Sequence, residues 1–95
     1  MRSTKLKPFY EVSTKETSVR TLMAFVLIAE GQVQHGSIWQ DELCEQLEAS
    51  KSACARCCRQ LEEIKLISRE APEGQAHRRL INLTAKGENL FRSMI

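Results

Sequence analysis

Between residues 38 and 84 the hydrophobic period of the chain changes in an order that leaves few folds open. In Asp41-Glu42-Leu43-Cys44-Glu45-Gln46-Leu47 the apolar positions recur every three or four residues, the spacing of a short amphipathic helix, and Glu48-Ala49-Ser50 breaks it. A second helix is expected over 51–65, with Ser50 as N-cap, because its hydroxyl can accept from a backbone N–H that the first turn leaves unpaired. Along it Cys54, Cys57, Cys58, Leu61 and Ile64 fall on one stripe, while Lys51, Ser52, Ala55, Arg56 and Arg59 lie opposite. One face packs; the other is small, polar and basic. Leu66-Ile67-Ser68-Arg69-Glu70 then reads as a strand and 71–76, with Pro72 and Gly74, as a turn. The returning strand is expected over 78–83, with Ile81 and Leu83 inward by period two and His77 and Arg78 exposed at the tip. Two helices, a hairpin and a further helix start make a winged helix-turn-helix, mainly α with a small β-hairpin.

The flanks fit around this centre. Residues 1–12 lack a helical period and contain Pro8, so they read as an extended or disordered arm, leaving 13–95 as the winged-helix domain. Ser13-Thr14-Lys15-Glu16 has capping-box spacing, and Val19, Leu22, Met23, Val26 and Leu27 mark an amphipathic helix expected to end near Gly31. A loop is expected over 32–36. Ser37-Ile38-Trp39-Gln40 offers a second capping box, with Ile38 bridging to the hairpin. Thr84 can cap a closing helix over 85–94 that places Leu90, Phe91 and Met94 at helical spacing.

Ninety-five residues make one domain with a modest core, which disfavours an enzyme with a deep pocket. There is no Gly-rich phosphate loop, no nucleophile elbow and no spaced set of His and carboxylates, so neither catalysis nor a cofactor is expected. The apolar run 22–29 is too short to cross a bilayer, and no charged leader precedes it, so no membrane partner is expected. A cytoplasmic protein is the expectation, since cysteines one turn apart on a helix make poor disulfide partners.

The net charge of +2 is small, and its distribution says more. Residues 1–20 carry +3, 21–49 carry −5 with no Lys or Arg, 50–79 carry +3 and the remainder +1. An acidic segment beside a basic helix and hairpin is a polarised surface of the kind that orients a protein on a phosphate backbone, although a mixture of solvated charges would read the same way. A helix presenting Ser52, Ala53, Ala55, Arg56 and Arg59 has small residues for close approach to base edges and guanidinium groups for guanine or phosphate, which fits the major groove. Ser50 and Lys51 stand where the helix dipole favours a phosphate, and wing arginines would grip the backbone or enter the minor groove. Simple exposure of Arg56 and Arg59, or pairing with Glu62 and Glu63, is the plain alternative.

These residues resemble the MarR family of winged-helix transcription regulators. Residues 38–47 look like the first helix of its motif, 50–67 like its recognition helix and exit strand, and Leu83-Thr84-Ala85-Lys86-Gly87 like the Leu-Thr-x-x-Gly that follows its wing; the likeness covers about residues 20–90. It implies a regulator, expected to be a repressor, bound to double-stranded DNA as a homodimer on a pseudo-palindromic site. The family's usual Asp-x-Arg at the wing is replaced by Gln75-Ala76-His77-Arg78-Arg79, which shifts the basic contact to Arg78 or His77 beside Arg79. The terminal helices are shorter than the family's, so the dimer contact is expected to be small or differently built and a small-molecule effector stays open.

Cys44, Cys54, Cys57 and Cys58, with His35 and His77, raise the question of a metal, but a Cys-x-x-Cys-Cys run inside a helix points only some thiols the same way. The plainer expectation is a set of small core hydrophobes. A thiol-sensing regulator using Cys54, Cys57 or Cys58 is a further alternative, should one be exposed near Arg56 or Arg59. Another is a winged-helix protein-interaction adaptor without DNA binding, because fold does not fix function. Trp39 is expected to anchor the core against the hairpin, Phe25, Leu90 and Phe91 to serve core or dimer surface, and Phe9 and Tyr10 either to pack across an interface or to belong to a loose tail.

Overall fold

The computed structural model describes Phe9, Glu11, residues 19–74 and residues 78–95. Among them the chain runs α1 (Val19–His35), β1 (Ile38–Trp39), α2 (Gln40–Leu47), α3 (Lys51–Glu63), β2 (Ile67–Glu70), β3 (Leu80–Leu83) and α4 (Ala85–Met94). This is a winged helix-turn-helix: α2 and α3 form the motif, and β2 and β3 form the wing. The sheet has three strands in the order β1-β3-β2, because Ile38 and Trp39 pair antiparallel with Ile81 and Leu80. The expected bridge from Ile38 to the hairpin is therefore present, and it places the start of α2 beside the base of the wing.

The helix ends follow local chemistry. α1 does not stop near Gly31 but continues to His35, so most of the expected loop over 32–36 is helical. The terminating glycine is Gly36, at φ 91°, whose N–H donates to the Gln32 carbonyl at 2.8 Å. Gly31 instead lies buried in the helix against Ile38, whose Cβ would stand 3.4 Å from any methyl added there. The box expected over 13–16 lies outside the described residues. The one expected at Ser37 is corrected: Trp39 is the N-cap of α2, and the Glu42 carboxylate accepts from its backbone N–H at 3.1 Å. The Ser37 hydroxyl donates across to Asn82 Oδ1.

Glu48 takes the left-handed conformation, φ 54°, that turns the chain from α2 towards α3. Ser50 caps α3 as expected, its Oγ accepting from the Ala53 N–H at 3.1 Å. α3 closes at Glu63, earlier than expected, because Lys65 adopts φ 67° and Leu66 donates back to the Leu61 carbonyl at 3.0 Å. Thr84 caps α4, accepting from the Gly87 N–H at 3.0 Å and donating to the Lys65 carbonyl at 2.6 Å, so one hydroxyl ties the last helix to the end of the third.

The core lies between α1, α3 and the sheet and is built on Phe25, Ile28, Leu43, Leu61, Leu66 and Ile81, none with exposed surface. Cys54, Cys57 and Cys58 are part of it, which agrees with the reading of these thiols as small hydrophobes. The extended arm over 1–12 is corrected at the two residues of it that are described. Phe9 and Glu11 are helical, and Phe9 is fully buried with its ring 5.7 Å from that of Phe25. A large aromatic removed from water against a second ring outweighs the absence of a local helical period. Phe91 completes the stack, edge-on to Phe25 at 6.3 Å. No helix among the described residues is long and apolar enough to cross a membrane.

Candidate nucleic-acid interface

The amphipathic period of α3 turns its four buried side chains, Cys54, Cys57, Cys58 and Leu61, onto the core. That leaves Lys51, Ser52, Arg56 and Arg59 exposed, with Ala55 half-buried between them and Ala53 partly covered in the first turn. Neither Arg56 nor Arg59 forms an ion pair with a described residue. Of Glu62 and Glu63, the partners the alternative reading offers them, Glu62 is taken by Arg69, whose Nη2 lies 2.7 Å from Glu62 Oε1. The outer face of α3 thus carries three cations, with two alanines and a serine that keep the backbone approachable, and Ser50 leaves its hydroxyl at the N-terminus.

Arg69 is not singled out by sequence pattern, yet it organises the base of the wing. Its Nη1 donates to Gln40 Oε1 at 3.0 Å while Nη2 holds Glu62, so a single guanidinium links β2 to α2 and α3. The carboxylate it binds raises its pKa further, against the opposing effect of burial. A signal does exist: by period two Arg69 shares the inward face of β2 with Ile67, and a charge on an apolar strand face calls for a built partner.

Arg78 departs from its expected place at an exposed tip. It stands at the wing base, half-buried, with its guanidinium carbon 3.9 Å from the centroid of the Trp39 ring and its Nη2 3.0 Å from Asp41 Oδ1. The physical reason is the added strand β1, which brings the indole and the first turn of α2 against residue 78. The hydrogen bond from Arg78, then its charge, holds the Asp41 carboxyl below its ordinary range in spite of some burial. Arg79 is exposed; its Nη1 donates to the Arg78 carbonyl at 3.3 Å and its own carbonyl accepts from the Gln40 N–H at 2.8 Å. His77 lies outside the described residues. Between the wing base and the start of α3, Gln40, Asp41, Cys44, Lys51, Arg78 and Arg79 line a cleft of about 290 Å³. In the sequence Asp41 reads as one more acid of an acidic helix.

Three of the four thiols lie in the core and the fourth is half-buried. Cys54, Cys57 and Cys58 are buried, and Cys54 is pushed up by a hydrogen bond with Cys58 and by burial. Cys44, half-buried at the cleft, is pushed up to about 12 by burial and then by contact with Cys54. No group of three His, Cys, Asp or Glu side chains able to hold a metal ion occurs among the described residues.

The fold is shared with several solved structures, among them MepR, a transcription regulator of the Staphylococcus aureus multidrug efflux pump MepA. A complex of Staphylococcus aureus MepR with DNA aligns at a TM-score of 0.73 and 21% identity, over 94% of this chain and 65% of that one. MarR aligns at 0.72 and 23% identity, over 92% of this chain and 58% of that one. RV1404 of Mycobacterium tuberculosis aligns at 0.71 and 21% identity, over 95% and 58% respectively. The chain therefore spans about six-tenths of the length of these structures. No protein-family model matches the sequence, and no curated protein does.

Proposed function

We propose that this chain is a MarR-type transcription regulator, a repressor that binds double-stranded DNA as a homodimer on a pseudo-palindromic site in the cytoplasm. The observation that carries the reading is the outer face of α3, where Lys51, Arg56 and Arg59 are exposed and carry no ion pair to a described residue, on a helix capped at its N-terminus by Ser50. A surface of that kind meets phosphates through Ser50 and Lys51 and base edges through Ser52, Ala53, Ala55, Arg56 and Arg59. In the wing, Arg79, with His77 and Arg78 beside it in the sequence, supplies the contact to the backbone or minor groove. Two copies related by a two-fold axis would set half-sites about ten base pairs apart. The binding unit is residues 13–95, to whose core Phe9 is added. That a neighbour of the same fold was solved as a DNA complex supports the reading.

The test is fluorescence-anisotropy binding to a pool of random duplex DNA across a salt series, for the wild type and Arg56→Ala. A regulator of this kind binds, loses affinity steeply with salt and weakens on the substitution, by about 1–3 kcal/mol at its own site if Arg56 reads a base. A folded protein that binds no duplex at low salt would instead be the protein-interaction adaptor, whose partner would tolerate Arg56→Ala.

A further inference from the structure

We propose that Asp41 and Trp39 are positioning residues that hold Arg78 on the body of the domain, so that the wing meets duplex DNA through Arg79 while Arg78 is withheld. This inference rests on the DNA-binding reading of the same surface. The Arg78 guanidinium is engaged on a face and on an edge: the indole covers it at 3.9 Å and the Asp41 carboxylate takes Nη2 at 3.0 Å. Its Nε is buried without a hydrogen-bond partner among the described residues, so the stack and the ion pair set its direction. The backbone reinforces both. Trp39 pairs with Leu80 in the sheet, and the Arg79 carbonyl accepts from the Gln40 N–H at 2.8 Å, which stitches residues 78–80 to the first turn of α2.

The electrostatic consequence is specific. Asp41 lines the same cleft as Lys51 and Arg79. Paired with Arg78 it cancels one cation of the wing, and its carboxylate repels any phosphate drawn towards the other two. The neighbouring Arg69 does not substitute, because its guanidinium is committed to Glu62 and Gln40. Replacing Asp41 by an isosteric amide therefore does two things at once: it removes a repulsive charge and releases a guanidinium to the backbone. Each further phosphate neutralised steepens the dependence of log affinity on log salt by about 0.9.

The experiment is a salt-dependent anisotropy titration on random-sequence duplex with four proteins: wild type, Arg78→Ala, Asp41→Asn and the double variant. In the wild-type background Arg78→Ala is expected to leave the salt slope unchanged and to alter affinity by less than about twofold. Asp41→Asn is expected to tighten binding by about threefold to tenfold and to steepen the slope by about 0.9, and Arg78→Ala in that background to abolish the steepening. A slope flattened by Arg78→Ala in the wild type, or unmoved by Asp41→Asn, overturns the proposal. If the wild type binds no duplex, it is the DNA reading that fails, and the hold on Arg78 is decided in the free protein. Trp39 is the only tryptophan, so iodide quenching of its emission reports whether the ring is covered. Greater quenching in Asp41→Asn and Arg78→Ala is expected; identical quenching in all three proteins would remove the positioning role as well.

Discussion

Gly87 lies directly over the backbone carbonyl of Leu66. A methyl group at residue 87 would overlap the Leu66 oxygen and come within 3.1 Å of its carbonyl carbon and 3.2 Å of Leu83 Cδ2. The same oxygen accepts the Thr84 N–H at 3.0 Å, so it cannot move aside without breaking the join between wing and last helix. Helix propensity alone predicts that Gly87→Ala stabilises α4 by about 1 kcal/mol. The close approach reverses the sign: a net loss of about 1–3 kcal/mol is expected. Thermal denaturation decides it, and a raised Tm would show that the backbone yields. The Leu-Thr-x-x-Gly pattern at 83–87 thus has a structural cause, a threonine that caps α4 and a glycine that admits the Leu66 carbonyl where the chain enters β2.

Phe9 is expected to behave as a core residue. With no exposed surface and its ring packed on Phe25, its loss in Phe9→Ala should cost about 3–5 kcal/mol, as for other buried aromatics, whereas a residue of a loose tail would cost almost nothing. Urea denaturation of the two proteins separates these cases. A midpoint shift confined to Phe9→Ala, with Glu11→Ala near neutral because Glu11 is exposed, would place the ring in the folding unit.

The contrast between Phe9 and α3 shows what sequence pattern can carry. α3 is legible because its period, cap and charge all point the same way, and each is a local property of residues 50–64. The two helices of the motif, the wing strands and the Thr84 cap are legible for the same reason. What escapes depends on contacts between different elements. Phe9 is held by residue 25, Gly31 is fixed by the approach of Ile38, and Arg78 is turned inward by Trp39 and Asp41 on a strand and helix 37 to 39 positions earlier. Arg56 and Arg59 stand on an open face as the period of α3 requires, but their separation from Glu62 follows from Arg69, a tertiary fact. Local period reports which side of an element is buried, and not which distant partner buries it.

The pairing of Asp41 with Arg78 makes a prediction in pH. The Arg78 hydrogen bond lowers the folded-state pKa of Asp41 below its ordinary 3.8, so the pair contributes its stability in full above that value. The contribution is lost as pH falls from there through the lowered pKa. Because the carboxylate is largely exposed, its size is bounded by the 0 to about 1 kcal/mol of a screened surface pair. Asp41→Asn should therefore show a small Tm deficit that is constant near neutrality and closes below about pH 4. A deficit that widens in acid would mean that Asp41 does not carry the ion pair.

The cysteines provide the remaining test. A thiol raised to about 12, as Cys44 is by burial and its Cys54 neighbour, has about one molecule in 10⁵ ionised at neutral pH, and the thiolate is the reacting species. Cys54, Cys57 and Cys58 are also shielded by the core between α3 and the sheet. An aromatic disulfide reagent at pH 7 is accordingly expected to react slowly with the folded protein and to report all four free thiols once guanidinium unfolds it. Peroxide should leave duplex binding unchanged on the same time scale, since oxidation also proceeds through an accessible thiolate. One rapidly titrating thiol, together with peroxide-sensitive binding that a Cys→Ser substitution abolishes, would instead make the chain a thiol-sensing regulator, with opening of the α2–α3 contact as the step that exposes the sulfur.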